Sequence, residues 1–354
     1  MNIHEISRTG FESIFTCEDK ASKLRAVISI HSSRLGPALG GIRVHSYASE
    51  EEAIQDAMRL SKAMSYKSAV AHLKLGGGKA VIIGDPAKDK TPALLGAMGK
   101  FVNALKGRYY AAKDAGINTE DLVIIRGETE FVTGLPESLG GSGDPSPWTA
   151  KGILYGMRAC IEEALCQKSF KGLHVAIQGV GHVGHGLAQL LRKEGVELTI
   201  SDLNSDSQKE VGSELEARVA EPAKIHLVNC HIFAPCALGH AINPGTSAKL
   251  NCKIVAGAAN NQLKDEKREG ETLLRRKILY APDYILNAGG VINIYVRDIL
   301  KEKNPEPWIQ KIEDSLKTIF SISKKESIPT ALVANRLAEQ ILTTGSSRGH
   351  SLRS

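Results

Sequence analysis

The stretch LHVAIQGVGHVGHGLAQLLRKEGVELTISDLN, residues 173–204, decides the fold of this chain. It reads as a short apolar strand, a glycine-rich turn, an amphipathic helix and a second strand. Gly179, Gly181 and Gly184 form the pattern G-x-G-x-x-G where the first strand passes into the helix. In this context the pattern predicts a βαβ unit that binds a dinucleotide phosphate group at the start of its helix.

Asp202 stands at the end of the second strand, 23 residues after Gly179. A carboxylate there can accept hydrogen bonds from ribose hydroxyls and repel a 2′-phosphate, so the sequence favours NAD over NADP. The other turn residues expected beside the cofactor are Val180, His182 and Val183. The alternative is a purely structural role, in which the glycines only make a tight turn and Asp202 only caps a neighbouring group. That role would not explain why the strand, turn, helix, second strand and acidic residue all occur at the expected spacing.

Length and composition set the class of protein. A chain of 354 residues predicts two domains. Its 45 basic and 39 acidic residues are scattered without a basic run, so small anionic molecules are expected as partners and nucleic acid is not. The charged N-terminus and the lack of a long apolar window predict a cytoplasmic protein without a membrane segment. Six cysteines without a C-x-x-C pair predict free thiols, and no metal site is expected.

Strands and helices alternate along the rest of the chain. Residues 21–31 end in a β-branched run that predicts a strand, and a helix is expected after Ser49, followed by a strand in AVIIGD. The segment 140–152 is rich in glycine, proline and serine, so we expect irregular structure and a domain boundary there. The predicted fold class is α/β, with an N-terminal catalytic and oligomerisation domain (1–145), a Rossmann-type NAD-binding domain (146–328) and a C-terminal helix with a flexible tail (329–354) that packs back toward the first domain.

Two lysines in the first domain could serve an anionic substrate. Lys79 follows three glycines in LGGGKAV but lacks the surroundings of a nucleotide triphosphate loop, and Lys67 precedes it by 12 residues. If the two lie in one cleft, burial and mutual repulsion lower the pKa of Lys79 and make it a candidate base. Bare glycines 76–78 would let a substrate approach closely, and Asp114 is a candidate proton carrier. From spacing alone, solvated lysines and an ordinary turn aspartate remain an equal alternative.

The segments GPALGGIRV, YKSAV, GGGKAVIIGDP, GDPSPWTAKG, APCALG, GAANNQL and APDYILNAGGVINI occur in an order and spacing that resemble the glutamate/leucine/phenylalanine/valine dehydrogenase family. Within that family the motifs are most similar to those of members that act on leucine. The resemblance implies two α/β domains separated by an active-site cleft, and a homo-oligomer. It also implies reversible NAD-linked oxidative deamination of an L-amino acid to a 2-oxo acid and ammonium.

By this resemblance, Lys67 binds the substrate carboxylate, Lys79 is the base that activates water to attack an imine, and Asp114 carries a proton to and from the amino group. The substrate side chain is expected in an apolar pocket comprising Leu39, Ala112, Val291 and Ile294. Gly40 and Gly41, which follow Leu39 in the same motif, are further substrate-binding candidates. Further cofactor contacts are expected from Thr149, Cys236, Ala237, Asn261 and Asn287.

An apolar residue at Leu39, where glutamate-specific members carry a lysine, predicts a branched-chain aliphatic substrate such as leucine, isoleucine or valine. The same chemistry on phenylalanine, or an NAD- or amino-acid-binding relative with little activity, is the alternative. Other two-domain NAD(P) enzymes, such as shikimate or methylenetetrahydrofolate dehydrogenases, would not account for both the glycine-lysine pattern and NAGGVIN. Lys113 departs from the family pattern, and if it pointed into the cleft it would lower the pKa of Asp114.

Overall fold

The computed structural model describes residues 1–237 and 239–345. Within these residues, twelve strands form two sheets of six, which confirms the α/β class. Leu238 and the tail from residue 346, for which flexibility was predicted, lie outside the described residues. The chain divides into two compact units. The first comprises Met1–Asp144, Arg297–Lys301 and the described residues from Ala338, and the second comprises Pro145–Val296 and Glu302–Leu337.

Compactness alone does not test whether these units fold as domains, so the domain boundaries drawn from the sequence stay predictions.

The first unit contains a mixed sheet with the strand order β1-β2-β3-β5-β4-β6. Its first four strands in this order are antiparallel, whereas β5, β4 and β6 run parallel. The strands are β1 Asn2–Ile6, β2 Ser13–Asp19, β3 Leu24–Ser32, β4 Ala38–His45, β5 Gly76–Ile83 and β6 Tyr109–Lys113. The parallel half places the ends of β4 and β6 at the same edge, where polar side chains of different strands can meet.

Helices cover both faces of this sheet. The helix α1 (Glu50–Val70) packs on β3 and β5, and α2 (Pro92–Ala104) and α3 (Thr119–Arg126) pack together near β6. Ser49 and Thr91 begin α1 and α2, because each side chain accepts a backbone N–H of the first helical turn. A 3₁₀ turn follows at Glu137–Leu139.

The glycines before Lys79 do not form an open rim, so the interpretation from the sequence is wrong here. Gly76, Gly77 and Gly78 begin β5 and are buried. A Cβ atom on Gly77 would lie 2.1 Å from the backbone nitrogen of Ser65 in α1, and one on Gly78 would lie 2.6 Å from the ring of Tyr109. Gly77 is needed because α1 and β5 approach at backbone distance, and Gly78 is needed because the Tyr109 ring occupies the space of a side chain.

The second unit contains a parallel sheet with the order β12-β11-β10-β7-β8-β9. This is the arrangement of two mononucleotide-binding halves that meet between their first strands, here β7 and β10. The strands are β7 His174–Gln178, β8 Glu197–Ser201, β9 Arg218–Val219, β10 Ile232–Pro235, β11 Ile254–Val255 and β12 Leu279–Tyr280. The sheet therefore has the Rossmann-type order that the glycine pattern predicted.

The first helix of the second unit begins earlier than the sequence suggested. The helix α4 starts at Ser146, inside the segment expected to be irregular, because a proline is favourable in the first turn of a helix. The helices are α4 Ser146–Leu165, α5 His182–Lys193, α6 Ser205–Glu214, α7 Pro244–Ser247, α8 Glu266–Arg275, α9 Asp283–Leu286, α10 Gly289–Ile294, α11 Glu306–Glu326 and α12 Thr330–Thr344, with a π-helical segment at Tyr295–Ile299 and a 3₁₀ turn at Ile225–Leu227. The last residues of α12 are counted with the first unit.

No helix in the described ranges has both the length and the apolar composition needed to cross a membrane. The six cysteines are free thiols, as expected, although Cys166 is exposed.

Candidate active site and cofactor site

Lys79 and Asp114 meet across the middle strand of the parallel half-sheet. Lys79 lies on β5 and Asp114 directly follows β6, with β4 between them. The Lys79 ammonium donates a hydrogen bond to Oδ2 of Asp114. Gly41 on β4 makes room for this contact, because a Cβ atom there would lie 2.6 Å from Cβ of Asp114. The structure thus brings together the two residues that the sequence proposed for proton transfer.

Burial changes the proton affinity of both partners. Lys79 is only 6% exposed, and burial is the main reason why its pKa is lowered, although Asp114 opposes this effect. Burial alone would raise the pKa of Asp114, but the neighbouring charges of Lys79 and Arg43 outweigh it and lower that pKa. A lysine that releases its proton more readily than usual, in contact with a carboxylate, is able to exchange protons with a bound substrate.

Arg43 is the site residue that sequence reasoning missed. Its Nε donates to Oδ2 of Asp114 at 3.1 Å, and its Nη1 donates to Asp56 at 3.1 Å. The signal was present, since Arg43 stands two residues after Gly41 and therefore shares its face of the strand. Lys113, by contrast, is exposed and pairs with Ile42 on the opposite face of the sheet. The cations that lower the pKa of Asp114 are thus Lys79 and Arg43.

Lys67 lies in the last turn of α1 and is half-buried. The contact between Ser65 and Gly77 fixes the helix against β5. Lys67 is two residues beyond that contact on the helix, and Lys79 is two residues beyond it on the strand. Convergence of their ammonium groups on one ligand stays a prediction.

The residues proposed for the substrate side chain are buried in both units. In the first unit, Leu39 and Ala112 lie on the same sheet face as Gly41, because Gly41 pairs with Ala112 and Leu39 is two residues before it. Gly40 is packed against the carbonyl of Gly78, and its own carbonyl accepts a hydrogen bond from Tyr109.

In the second unit, Val291 and Ile294 are three residues apart on α10 and each is 9% exposed. This spacing puts the two side chains on one side of the helix.

The three glycines between β7 and α5 have separate roles. Gly179 has a φ of +96°, which favours glycine, and a Cβ atom on it would meet Ala237 at 2.6 Å. A Cβ atom on Gly184 would lie 2.0 Å from the carbonyl oxygen of Gly179, so this glycine lets the helix pack on the turn. Gly181 begins α5 without a side-chain cap, and a Cβ atom there would meet nothing within 4 Å. Backbone N–H groups at this helix start can therefore receive a pyrophosphate.

Asp202 lies beside this turn, as predicted. Its Oδ2 accepts the backbone N–H of Val180 at 2.8 Å, and its Oδ1 accepts that of Asn204 at 2.9 Å. These bonds hold the carboxylate at the end of β8, where it retains lone pairs for ribose hydroxyls. Leu203, next to it, is an apolar side chain that is 85% exposed. The second unit therefore fits a dinucleotide.

Asn287, which the sequence suggested as a cofactor contact, is held by hydrogen bonds of its side-chain nitrogen. Its side-chain nitrogen donates to the carbonyl of Ala258 at 3.1 Å and to Oδ1 of Asn260 at 2.6 Å. Its buried Oδ1 has no hydrogen-bond partner among the described residues. An unpaired buried amide oxygen suits a donor on a ligand, such as a carboxamide. Asn260, which was not among the residues expected from the sequence, therefore holds the Asn287 side chain in place.

Four further residues expected from the sequence to contact the cofactor are Asn261, Thr149, Cys236 and Ala237. Asn261 is exposed with a φ of +52°, and Thr149 donates its hydroxyl to the carbonyl of Pro145. Cys236 and Ala237 follow β10 beside the glycine turn.

His182 and His185 lie in the first turn of α5. His182 and Val183 begin α5, and the His185 ring bonds to Glu214 at 2.8 Å. No three histidine, cysteine, aspartate or glutamate side chains are grouped to hold a metal ion within residues 1–237 and 239–345.

Comparisons with known proteins match both units. A sequence model of the Glu/Leu/Phe/Val dehydrogenase dimerisation domain matches residues 12–131. A model of the glutamate/leucine/phenylalanine/valine dehydrogenase matches residues 140–217 and 200–326. These matches confirm the resemblance drawn from the sequence motifs.

Individual relatives cover nearly the whole chain. A leucine dehydrogenase of Thermoactinomyces intermedius is 50% identical over 338 residues, which are 95% of this chain and 92% of the relative. A leucine dehydrogenase of Geobacillus stearothermophilus is 47% identical over 94% of this chain and 91% of its own. The solved structure of L-tryptophan dehydrogenase from Nostoc punctiforme has a TM-score of 0.85 at 39% identity and covers 95% of this chain and 97% of that one.

Proposed function

Because this chain belongs to the glutamate, leucine, phenylalanine and valine dehydrogenase family, we propose that it catalyses NAD-dependent, reversible oxidative deamination of branched-chain aliphatic L-amino acids. The products are the 2-oxo acid and ammonium. The observation that carries the proposal is the buried Lys79–Asp114 pair in a chain whose nearly full-length relatives include leucine dehydrogenases.

Proton transfer is the task of Lys79 and Asp114. Lys79, with its lowered pKa, takes a proton from water as that water attacks the oxidised carbon of the substrate. Asp114, hydrogen-bonded to Lys79, moves a proton to and from the substrate nitrogen so that ammonia departs. Lys67 pairs with the substrate carboxylate and orients Cα.

NAD, when bound, accepts the hydride released from Cα. The glycine turn, Asp202 and Asn287 would hold it, with the turn at the pyrophosphate and Asp202 at the adenosine ribose. A carboxylate at Asp202 opposes a 2′-phosphate, so NAD should be used far better than NADP.

Selectivity follows from the apolar residues Leu39, Ala112, Val291 and Ile294. A glutamate side chain would lose the hydration of its carboxylate without gaining a partner from these four side chains, which costs several kcal/mol or more. Leucine, isoleucine and valine should differ only modestly, because one methylene is worth about 1–3 kcal/mol of discrimination. Aromatic substrates should be disfavoured.

A homo-oligomer in the cytoplasm completes the proposal. The family model of the first unit describes a dimerisation domain, which supports self-association. Light scattering coupled to size exclusion should give a mass that is a multiple of the 38.1 kDa chain, and a monomer at micromolar concentration would contradict this part.

The direct test follows NADH absorbance with leucine, valine, isoleucine, phenylalanine, tryptophan and glutamate as substrates. We expect the branched-chain acids to be preferred, and a preference for glutamate or an aromatic acid would overturn the proposed substrate class. Lys79→Ala should lower kcat by about a hundred- to ten-thousand-fold, because it removes the general base. NADH affinity and thermal stability report whether the variant is otherwise intact, and near-normal turnover would remove Lys79 from the mechanism.

A further inference from the structure

The Lys79–Asp114 pair is one end of a longer chain of charges in the first unit. Arg43 bonds to Asp114 through Nε and to Asp56 through Nη1. Asp56, on α1, also accepts the hydroxyl of Tyr47 at 2.7 Å and Nη2 of Arg59 at 2.6 Å. The charges alternate in sign along this path, from a lysine to an arginine at the surface.

The chain of charges runs from buried to exposed. The Lys79 side chain is 7% exposed and that of Arg59 is 55% exposed, with the residues between them half-buried. Charges in such partly desolvated positions act on their neighbours more strongly than charges in water. Arg43 and Asp56 also line a pocket of about 600 Å³, together with Tyr47 and Arg59. Because they border a pocket, substituting them removes charge without opening a cavity in the apolar core.

We propose that Arg43 and Asp56 are positioning residues that hold the Asp114 carboxylate and set the protonation state of the Lys79–Asp114 pair. This inference rests on the proposed function, in which that pair transfers protons. Arg43 and Lys79 bind the same oxygen of Asp114 from two neighbouring strands, so the two cations together fix the position of the carboxylate.

Arg43 and Asp56 act on the pair in opposite directions. Arg43 acts to lower the pKa of Lys79 and that of Asp114, whereas Asp56 acts to raise the pKa of Lys79. Removing Arg43 should therefore make the pair hold its proton more tightly, and removing the charge of Asp56 should make it release its proton more readily.

The other ionisable groups around the pair do not reverse these signs. Tyr47 and Tyr109 stay neutral, because burial raises the pKa of both phenols. Arg59 loses its ion-pair partner in Asp56→Asn. The positive charge of its guanidinium then acts in the same direction as the loss of the Asp56 carboxylate. Lys67 lies on the same helix three turns from Asp56, and neither substitution removes its charge.

The test compares Arg43→Met, Arg43→Lys and Asp56→Asn with the wild type. The first measurement is the pH profile of kcat/KM for leucine with saturating NAD. On the acid limb of the profile, kcat/KM rises as the pair loses its proton. This limb should lie at higher pH in Arg43→Met than in the wild type, and at lower pH in Asp56→Asn. At a fixed pH on the limb, kcat/KM divided by its plateau value should fall about threefold to tenfold in Arg43→Met and rise by a similar factor in Asp56→Asn. Arg43→Lys keeps the charge and should restore most of the wild-type profile.

The second measurement needs neither NAD nor turnover. Competitive labelling with acetic anhydride, read by peptide mass spectrometry, gives the pH dependence of Lys79 acetylation. That curve should move to higher pH in Arg43→Met and to lower pH in Asp56→Asn, while the labelling of the exposed Lys20 stays unchanged. Arg8→Gln and Glu51→Gln are the matched controls and should shift neither curve, because they break an exposed ion pair between the segment after β1 and the first turn of α1.

Shifts of both variants in one direction, or unshifted curves in variants with wild-type melting, would overturn the inference. If Arg43→Met does not fold, the predicted direction for Asp56→Asn and the Arg43→Lys profile still decide it. A wild-type protein without amino-acid oxidation would contradict the proposed function, whereas the labelling curves would still report on the charges.

Discussion

At the scale of the residue, the absence of a side chain at Gly41 controls where the Asp114 carboxylate lies. A Cβ atom at this position would be 2.6 Å from Cβ of Asp114 and 2.9 Å from the carbonyl oxygen of Lys113. Gly41→Ala should push Asp114 away from Lys79. A displacement of about 1 Å in a catalytic group can cost about a hundredfold in rate, so we expect kcat with leucine to fall by that order.

Gly96→Ala is the matched control for this substitution. It lies in α2, where the nearest atom to the new Cβ would be 3.7 Å away, at ordinary contact distance. Its activity should be unchanged and its stability slightly higher, because alanine favours a helix over glycine by up to about 1 kcal/mol. Equal turnover in the two variants would show that Gly41 does not position Asp114.

Single residues were predictable from the sequence where a motif fixes their chemistry. Lys79, Asp114 and the three turn glycines belong to such motifs. Arg43 could not be placed in the same way, because its contact with Asp114 depends on the register of β4 against β6, two segments that are far apart in the chain. The same register places Lys113 on the opposite face of the sheet from Gly41, so the condition under which it would lower the pKa of Asp114 is not met.

At the scale of the element, two glycines of the turn between β7 and α5 should affect different properties, Gly181 the binding of the cofactor and Gly184 the stability of the fold. Gly181→Ala adds a methyl group in open space, so it should leave stability within about 0.5 kcal/mol of the wild type and weaken NADH binding. Gly184→Ala forces a methyl group against the Gly179 carbonyl and should destabilise the unit by about 1–3 kcal/mol. NADH fluorescence titration and thermal unfolding measure the two effects. Loss of stability in the Gly181 variant would contradict this division.

Elements were predictable where their pattern is local. The strands β7 and β8 and the helix between them follow directly from apolar runs and glycines. The start of β5 was not predictable, because a run of glycines locally resembles a turn and only the packing of α1 and Tyr109 makes it a strand. The start of α4 was missed for a related reason, since prolines in segment 144–147 suggest a loop but also occur in a first helical turn.

At the scale of the whole molecule, acid should weaken the fold through His31. Burial, the main cause, lowers the pKa of His31 to about 4, and the ring lies 5.1 Å from Phe11 and bonds to Ser65 at 2.8 Å. Between pH 6.5 and about 4 the unfolded chain binds a proton at this residue that the folded chain does not, so the free energy of unfolding falls as the pH falls. Above this window His31 contributes no pH dependence.

Urea unfolding of the wild type and of His31→Gln from pH 7.5 to pH 4 measures this contribution. The variant should show a shallower loss of stability across the window, although the remaining histidines and carboxylates still titrate. Parallel curves for the two proteins would show that His31 is protonated equally in the folded and unfolded states.

The backbone contacts at Gly41 and Gly77 make this enzyme suited to laboratory redesign. Gly41 makes room for Asp114, and Gly77 lets α1, which carries Lys67, pack against β5, which carries Lys79. Neither contact involves the apolar side chains proposed to surround the substrate. A combinatorial library at Leu39 and Ala112 can therefore search for catalysts that aminate bulkier 2-oxo acids. The glycines should be left untouched in every member of such a library.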